Sequence, residues 1–255
     1  YANTGCVGIR VVDNHIESCG SGGHLGTAYD ATNGAQNITD VVVRGNVIRN
    51  CNTRGIYVNT PVAGTALVNV NVSGNTITGG TEGITFFGIT SDTGHRSVVA
   101  NGNTLNGQTS ASTGALCVVS ICNVEATDNA ITDASGTAMY FISTTDCRAV
   151  GNRTDFTQKQ ALTGDANTRL VVRHNRFSKY GLNLAVGGLL LTTSVLNEVV
   201  GNDWSQANTG TEVIVTGTSA IVADNRGGGA ANPFTNSCTH ANFGTASPSN
   251  GLSSL

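Results

Sequence analysis

The sequence predicts an all-β fold, a right-handed single-stranded parallel β-helix of about nine coils. Three observations predict it. An asparagine recurs nine times with similar neighbours, columns of aliphatic residues flank it at fixed offsets, and the composition is rich in turn formers and poor in charge.

The asparagine repeat comes first. The segments VVDNHI, VVRGNVI, VSGNTI, VANGNTL, EATDNAI, AVGNRT, VRHNRF, VVGNDW and VADNRG place Asn14, Asn46, Asn75, Asn103, Asn129, Asn152, Asn175, Asn202 and Asn225 in one column, spaced by about 26 residues on average. Five residues before these lie Ile9, Val41, Val70, Val98, Val124, Cys147 and Leu170, and three before lie Val11, Val43, Val72, Ala100, Ala126, Ala149, Val172, Val199 and Val222. Two after lie Ile16, Ile48, Ile77, Leu105, Ile131, Thr154, Phe177 and Trp204. Residues two apart on a strand share a face, so the −5 and −3 positions point inward together. The inward parity resumes at 0 and +2, past a bend. The residue before each asparagine is Gly, Asp or His, types that tolerate left-handed dihedrals. Coils stack about 4.8 Å apart, so the asparagine amides can bond from coil to coil.

A second strand recurs after a glycine, at RGIYVN 54–59, EGITFF 82–87, TGALCVV 113–119, SGTAMYF 135–141, YGLNLAV 180–186 and TGTEVIV 210–215. Alternation assigns its outward positions to Tyr57 and Asn59, Thr85 and Phe87, Leu116 and Val118, Ala138 and Tyr140, Asn183 and Ala185, and Glu212 and Ile214. That face is too apolar for a solvated sheet and marks an interface, either with sugars stacked on Tyr57, Phe87 and Tyr140 or with another subunit. Coils longer than the bare 23 residues must bulge outward, at His24 to Asn37, Asn59 to Ala66, Gly88 to His95, Gly107 to Thr113 and Leu189 to Ser194. From Gly227 the period fails. The organisation is therefore a β-helix over 1–227 and an irregular cap or partner-binding segment over 228–255.

Composition bounds the function. Gly is 33 of 255 residues, Pro only 3 and charged residues 11 %, yet hydrophobic residues are 39 %, which excludes a disordered chain. A net charge of −3 offers no basic footprint for nucleic acid. The longest apolar run, Leu182 to Leu191, is too short to span a membrane and contains Asn183. The sequence opens on Tyr1 with no methionine or apolar leader, which reads as a segment of a longer or processed polypeptide. Seven cysteines, an odd number without regular spacing, argue against a full disulfide framework. Cys117 and Cys147 read as inward-facing thiols, and Cys19 and Cys51 share a column. No cysteine–histidine spacing for zinc occurs, so neither metal nor cofactor is implied.

Most charges pair along columns: Glu17 with Arg49, Arg54 with Glu82, Glu125 with Arg148, Asp146 with Arg169, and Asp203 between Arg176 and Arg226. The unpaired groups concentrate in the early coils. SDTGHRS at 91–97 carries Asp92, His95 and Arg96, and HLGTAYD at 24–30 carries His24, Tyr29 and Asp30. These loops, with Tyr57 and Phe87, form the expected glycan site. A hydrolase needs two carboxylates about 5–10 Å apart, for which Asp92 and Glu82 are the candidates. A lyase needs a base, for which His95 is the candidate, with Arg96 to hold an acidic sugar.

VVVRGNVIRN and VNVSGNTITGG resemble repeats of the pectate-lyase-like superfamily of right-handed parallel β-helices, especially those of bacteriophage tailspikes, over residues 5 to about 227. The resemblance implies a virion-borne homotrimer that binds bacterial surface polysaccharide, with or without cleaving it. No catalytic residue carries over: the paired aspartates of the polygalacturonases are missing, and only GHR at 94–96 stands near their GHG segment. The alternatives are a secreted bacterial polysaccharide lyase or hydrolase and a non-enzymatic adhesive shaft.

Overall fold

A computed structural model describes residues 7–17, 29–32, 37–60, 62–89, 94–181, 188–206, 213–227, 234–238 and 241–242. Every regular element among them is a β-strand, and the strands pair in parallel with the coils before and after. The chain is a parallel β-solenoid. Three walls enclose its core. Sheet I holds the strands that lead up to each asparagine, such as Ile38–Arg44, Leu67–Ser73, Arg96–Asn101 and Val124–Thr127. Sheet II holds the nine short strands that follow, from His15–Glu17 to Arg226–Gly227. Sheet III holds Tyr29–Thr32, Arg54–Asn59, Glu82–Phe87, Gly114–Val119, Thr137–Ile142 and Leu162–Asp165. The long strands Leu189–Val200 and Val213–Ala223 run from sheet III into sheet I.

The asparagines form one stack at the corner between sheets I and II. Asn103 is typical. Its Oδ1 accepts from the backbone N–H and the Nδ2 of Asn75, each at 3.0 Å. Its own Nδ2 donates to the Val72 carbonyl and to Asn129 Oδ1, each at 2.9 Å. The same pattern runs from Asn14 to Asn225. Within the wall these amides are buried and satisfied, as burial of a polar group requires. The −5, −3 and +2 columns supply the core beside them, including Val70, Val72, Ile77, Val98, Leu105, Phe177 and Trp204.

Corners are made by single left-handed residues. The position before each asparagine has positive φ throughout, from Asp13 at 57° through Gly45 at 67° to Asp224 at 52°. Three further left-handed columns were not anticipated. They stand at −6 (Asp40, Asn69, Ser97, Asn123, Asp146, Arg169, Leu196), at +4 (Asn50, Gly79, Gly107, Asp133, Phe156, Lys179) and just past sheet III (Ser120, Ser143, Ala166, Thr193). Asn, Asp, Ser and Gly suit such bends, whereas Phe156 and Leu196 are held there by the stack on either side.

The structure corrects several local assignments. Leu116 and Val118 face the core, fully buried, opposite Ile84 and Phe86, while Cys117 stands opposite Thr85 in the outward column. Alignment on glycine misplaced this strand by one residue, because Gly114 occupies the place of Glu82 rather than of Gly83. A one-residue slip exchanges the faces. Ala138 is also buried, beside the small residues Ala115 and Ala161. In the next coils sheet III is built from Leu162–Asp165 and then Leu189–Thr192, in register with one another. Leu189 to Ser194 is therefore strand rather than an outward loop, and the expected irregularity survives as a register shift between Leu191 and Ser194 against the next coil. The expected strand over 180–186 falls mostly on residues outside those described, as do Asn183 and Ala185. Tyr29 and Asp30 lie on a strand, opposite Ile56 and Tyr57, not on a loop. Past residue 227 the stack goes on: Phe234–Cys238 and Ala241–Asn242 pair in parallel with Val213–Ala223, so the tail is not wholly irregular. Cys117 and Cys147 are free buried thiols, and Cys51 and Cys122 are buried as well. Cys19 lies outside the described residues.

Candidate functional site

The outer face of sheet III gathers more chemistry than any other described surface. Parallel register sets its columns. One runs Tyr57, Thr85, Cys117, Tyr140 and Thr163, and the next runs Asn59, Phe87, Val119, Ile142 and Asp165. At the entrance to these strands Arg54 stands opposite Glu82.

Glu82 organises the upper part of this face. Its Oε2 accepts from Arg54 Nε at 2.6 Å and from the Thr85 hydroxyl at 2.5 Å, and its Oε1 accepts from the Thr113 hydroxyl at 2.9 Å. The carboxylate is 7 % exposed, so it is a buried charge with a buried set of partners, the condition under which burial is tolerated. Thr113 arrives from the segment 107–113, which is tied down by several contacts. Gln108 donates to the Asn106 carbonyl at 3.1 Å, the backbone N–H groups of Thr109 and Ser110 donate to Gly80 and Thr81, and Lys159 donates to the Ala111 carbonyl.

Arg54 in turn lies over the Tyr57 ring, with Cζ 4.4 Å from the centroid. Burial opposes its charge, but the hydrogen bond to Glu82 and the nearby carboxylate outweigh burial and raise the guanidinium above its ordinary value. Cys117 is pushed up to about 12 by burial and by Glu82, so at neutral pH it is a thiol and not a nucleophile. Tyr140 is raised by burial and by Asp165. Asp165 is lowered, chiefly by the hydroxyls of Thr192 and Thr193, each 2.7 Å from its Oδ1.

The expected site residues divide as follows. Tyr57, Glu82 and Phe87 share the sheet III face, and the strand bearing Tyr29 and Asp30 pairs directly beside Tyr57. His95 stands apart, at the corner leading into sheet I. Its ring is buried, and Nδ1 accepts the Leu67 N–H at 3.0 Å. Arg96 follows it, exposed at the start of a sheet I strand. His24 and Asp92 lie outside the described residues. Sequence reasoning missed Thr113 as a Glu82 partner and Thr192 and Thr193 as Asp165 partners. The unusual length at Gly107 to Thr113 was the available signal for the first, and only the corrected register reveals the second.

A groove of about 610 Å³ crosses sheet I over Ser97, Val99, Asn123, Glu125, Asp146, Arg148 and Arg169. Its charges are paired, Arg148 with Glu125 at 3.8 Å and Arg169 with Asp146, and they are exposed. Such pairs are ordinary surface features. Among the described residues no group of three or more His, Cys, Asp or Glu could hold a metal ion.

The fold and this face together define the class: a parallel β-solenoid with a structured, half-buried outer wall. No family model, curated protein or solved structure matches the chain.

Proposed function

We propose that the chain recognises a surface polysaccharide through the outer face of sheet III, as the β-helix domain of a phage tailspike does when it binds a bacterial glycan. The observation that carries this is the Arg54 guanidinium over the Tyr57 ring, on a face that bears Phe87 one strand on and Tyr140 three strands on, in a wall stiffened by parallel pairing and by the asparagine stack. Sugars bind by laying C–H faces on aromatic or guanidinium planes and hydroxyls against fixed polar groups. A stacked sheet offers such positions repeatedly along a polymer.

The geometry favours binding over hydrolysis at this face. Both Glu82 oxygens are engaged, and Asp165 lies three strands away, roughly 14 Å or more at the usual strand spacing. A hydrolytic pair needs about 5–10 Å. The buried His95 ring is not poised as a base for a lyase. The test is a glycan array with wild type and with Tyr57→Ala/Phe87→Ala, alongside a reducing-end assay. Binding that the double variant abolishes, without new reducing ends, is the expected result. Cleavage that survives the double variant would move the site elsewhere.

A second reading is favoured by Val119, Ile142 and Leu190, half-buried apolar side chains lower on the same face. They suit contact with further copies in a homotrimer. Light scattering distinguishes the two: a monomer in dilute solution counts against the trimer and leaves the face open to glycan.

A further inference from the structure

We propose that the free edge of the Arg54 guanidinium is an oxyanion subsite, so that the glycan taken by sheet III carries a carboxylate, sulfate or phosphate group. The proposal rests on the glycan reading above and narrows it.

The argument starts from the donors of Arg54. Among the described residues, Nε is its only hydrogen-bonding atom, directed to Glu82. The two Nη groups carry no hydrogen bond to a described residue, and the side chain is 35 % exposed. A guanidinium offers five N–H donors in a fixed fork, and the described residues use only one of these. The fork cannot wander. Glu82 holds one edge and Tyr57 supports one plane. Fixing a long side chain beforehand removes the ordering cost that usually weakens an arginine–anion contact.

Glu82 does not cancel this charge for a ligand. Its carboxylate already accepts hydroxyl protons from Thr85 and Thr113, which spread its negative charge away from the exposed edge. Its charge is also buried, with the Glu82 side chain 10 % exposed against 35 % for Arg54. An oxyanion therefore meets the cation first. Arginine suits the task better than lysine because carboxylate, sulfate and phosphate each present two oxygens to the fork. The half-buried Phe87, on the adjacent strand of the same face, provides ring surface for the sugar that bears the group.

The experiment uses the full chain and oligosaccharides bearing glucuronate, sulfate ester or phosphate ester, each beside its neutral glucan parent. Inorganic sulfate and phosphate serve as free-anion controls. Binding is measured by calorimetry at low and at physiological salt for wild type, Arg54→Lys, Arg54→Gln and Tyr57→Leu. Thermal melts identify any variant that fails to fold, and Arg54→Lys keeps the charge beside Glu82. The expected result is about tenfold tighter binding of an acidic ligand than of its parent, a preference reduced by Arg54→Lys and abolished by Arg54→Gln. Tyr57→Leu, which removes the stack alone, should weaken the preference less than Arg54→Gln. The glucuronate, sulfate-ester and phosphate-ester arms then show which anion is read. Equal binding of acidic and neutral ligands, lost in the Tyr57/Phe87 double variant, overturns the oxyanion subsite and leaves the glycan reading standing. An acidic preference that persists in Arg54→Gln also overturns it. Absence of binding to every oligosaccharide sinks both, and binding of the free anions alone replaces the sugar with a simple ion.

Discussion

The asparagine corner and the outer face of sheet III are stacked by the same parallel pairing but use it differently. At the corner every coil repeats the same residue, and each amide is satisfied by the coils above and below. On sheet III a single column runs Tyr57, Thr85, Cys117, Tyr140 and Thr163, five positions with three residue types. A column that repeats serves the stack itself. A column that varies at equal spacing, with buried polar contacts built around it, is free to serve something outside the stack.

The largest test of this contrast compares the two faces of sheet III, on the neighbouring strands Gly114–Val119 and Thr137–Ile142. Leu116 faces the core with no exposure, whereas Ile142 lies in the outward column and is half-buried. Leu116→Ala should cost about 3 kcal/mol through lost burial and an unfilled cavity. Ile142→Ala should cost about 1 kcal/mol or less. Urea denaturation of the two variants checks the register, and equal losses would restore the sequence-based alignment of this strand.

The corner predicts a slightly smaller effect with a strong positional dependence. Asn103→Ala strands the buried amide groups of Asn75 and Asn129 and should cost about 2–3 kcal/mol. Asn14 is exposed at the end of the stack, so Asn14→Ala should cost under about 1 kcal/mol. Similar losses in the middle and at the end of the ladder would mean that the amides do not cooperate as the hydrogen bonding indicates.

These two regions also explain what could be read in advance. The corner was legible because its residues are constrained on both sides: asparagine at one position, Gly or Asp before it, aliphatics at −5, −3 and +2. The bend at −1 was anticipated for the same reason. Sheet III was not, because GALCVV is apolar on both faces and alternation cannot choose between them. The choice depends on which residue faces Glu82 in the preceding coil, a relation thirty residues distant in the chain. Likewise the Arg54–Glu82 pair was visible as a column, but its hydroxyl partner Thr113 comes from an insertion whose path sequence does not encode locally.

Glu82→Gln breaks the comparison at the polar end of sheet III. It removes the charge that holds Arg54, while the one amide oxygen still accepts from Thr85 or Thr113 and the other hydroxyl turns to accept from the amide N–H. Because Arg54 is about a third exposed, water replaces much of the lost interaction, and the stability cost should be about 1 kcal/mol. Binding of an acidic oligosaccharide should suffer more, since a loose Arg54 no longer lies over Tyr57. A variant that melts far below the wild type but binds normally would reverse this assignment and make Glu82 a purely structural residue.

The smallest effect concerns Asp165, a second described carboxylate on sheet III whose partners are known. The hydroxyls of Thr192 and Thr193 favour its ionised form and lower its pKa from the ordinary aspartate value. A group whose folded pKa is depressed contributes stability above its unfolded pKa, about 3.9, and loses it as pH falls through the folded value. Asp165 lies at a partly solvated edge, so the contribution should be a few tenths of a kcal/mol. The check is the stability difference between wild type and Asp165→Ala from pH 2 to pH 7. That difference should be constant above about pH 5 and shrink as pH falls below about 4. A difference that grows in acid would mean the neutral form is the one the two threonines hold. In that case the hydroxyls accept from a protonated Asp165 instead of donating to its carboxylate.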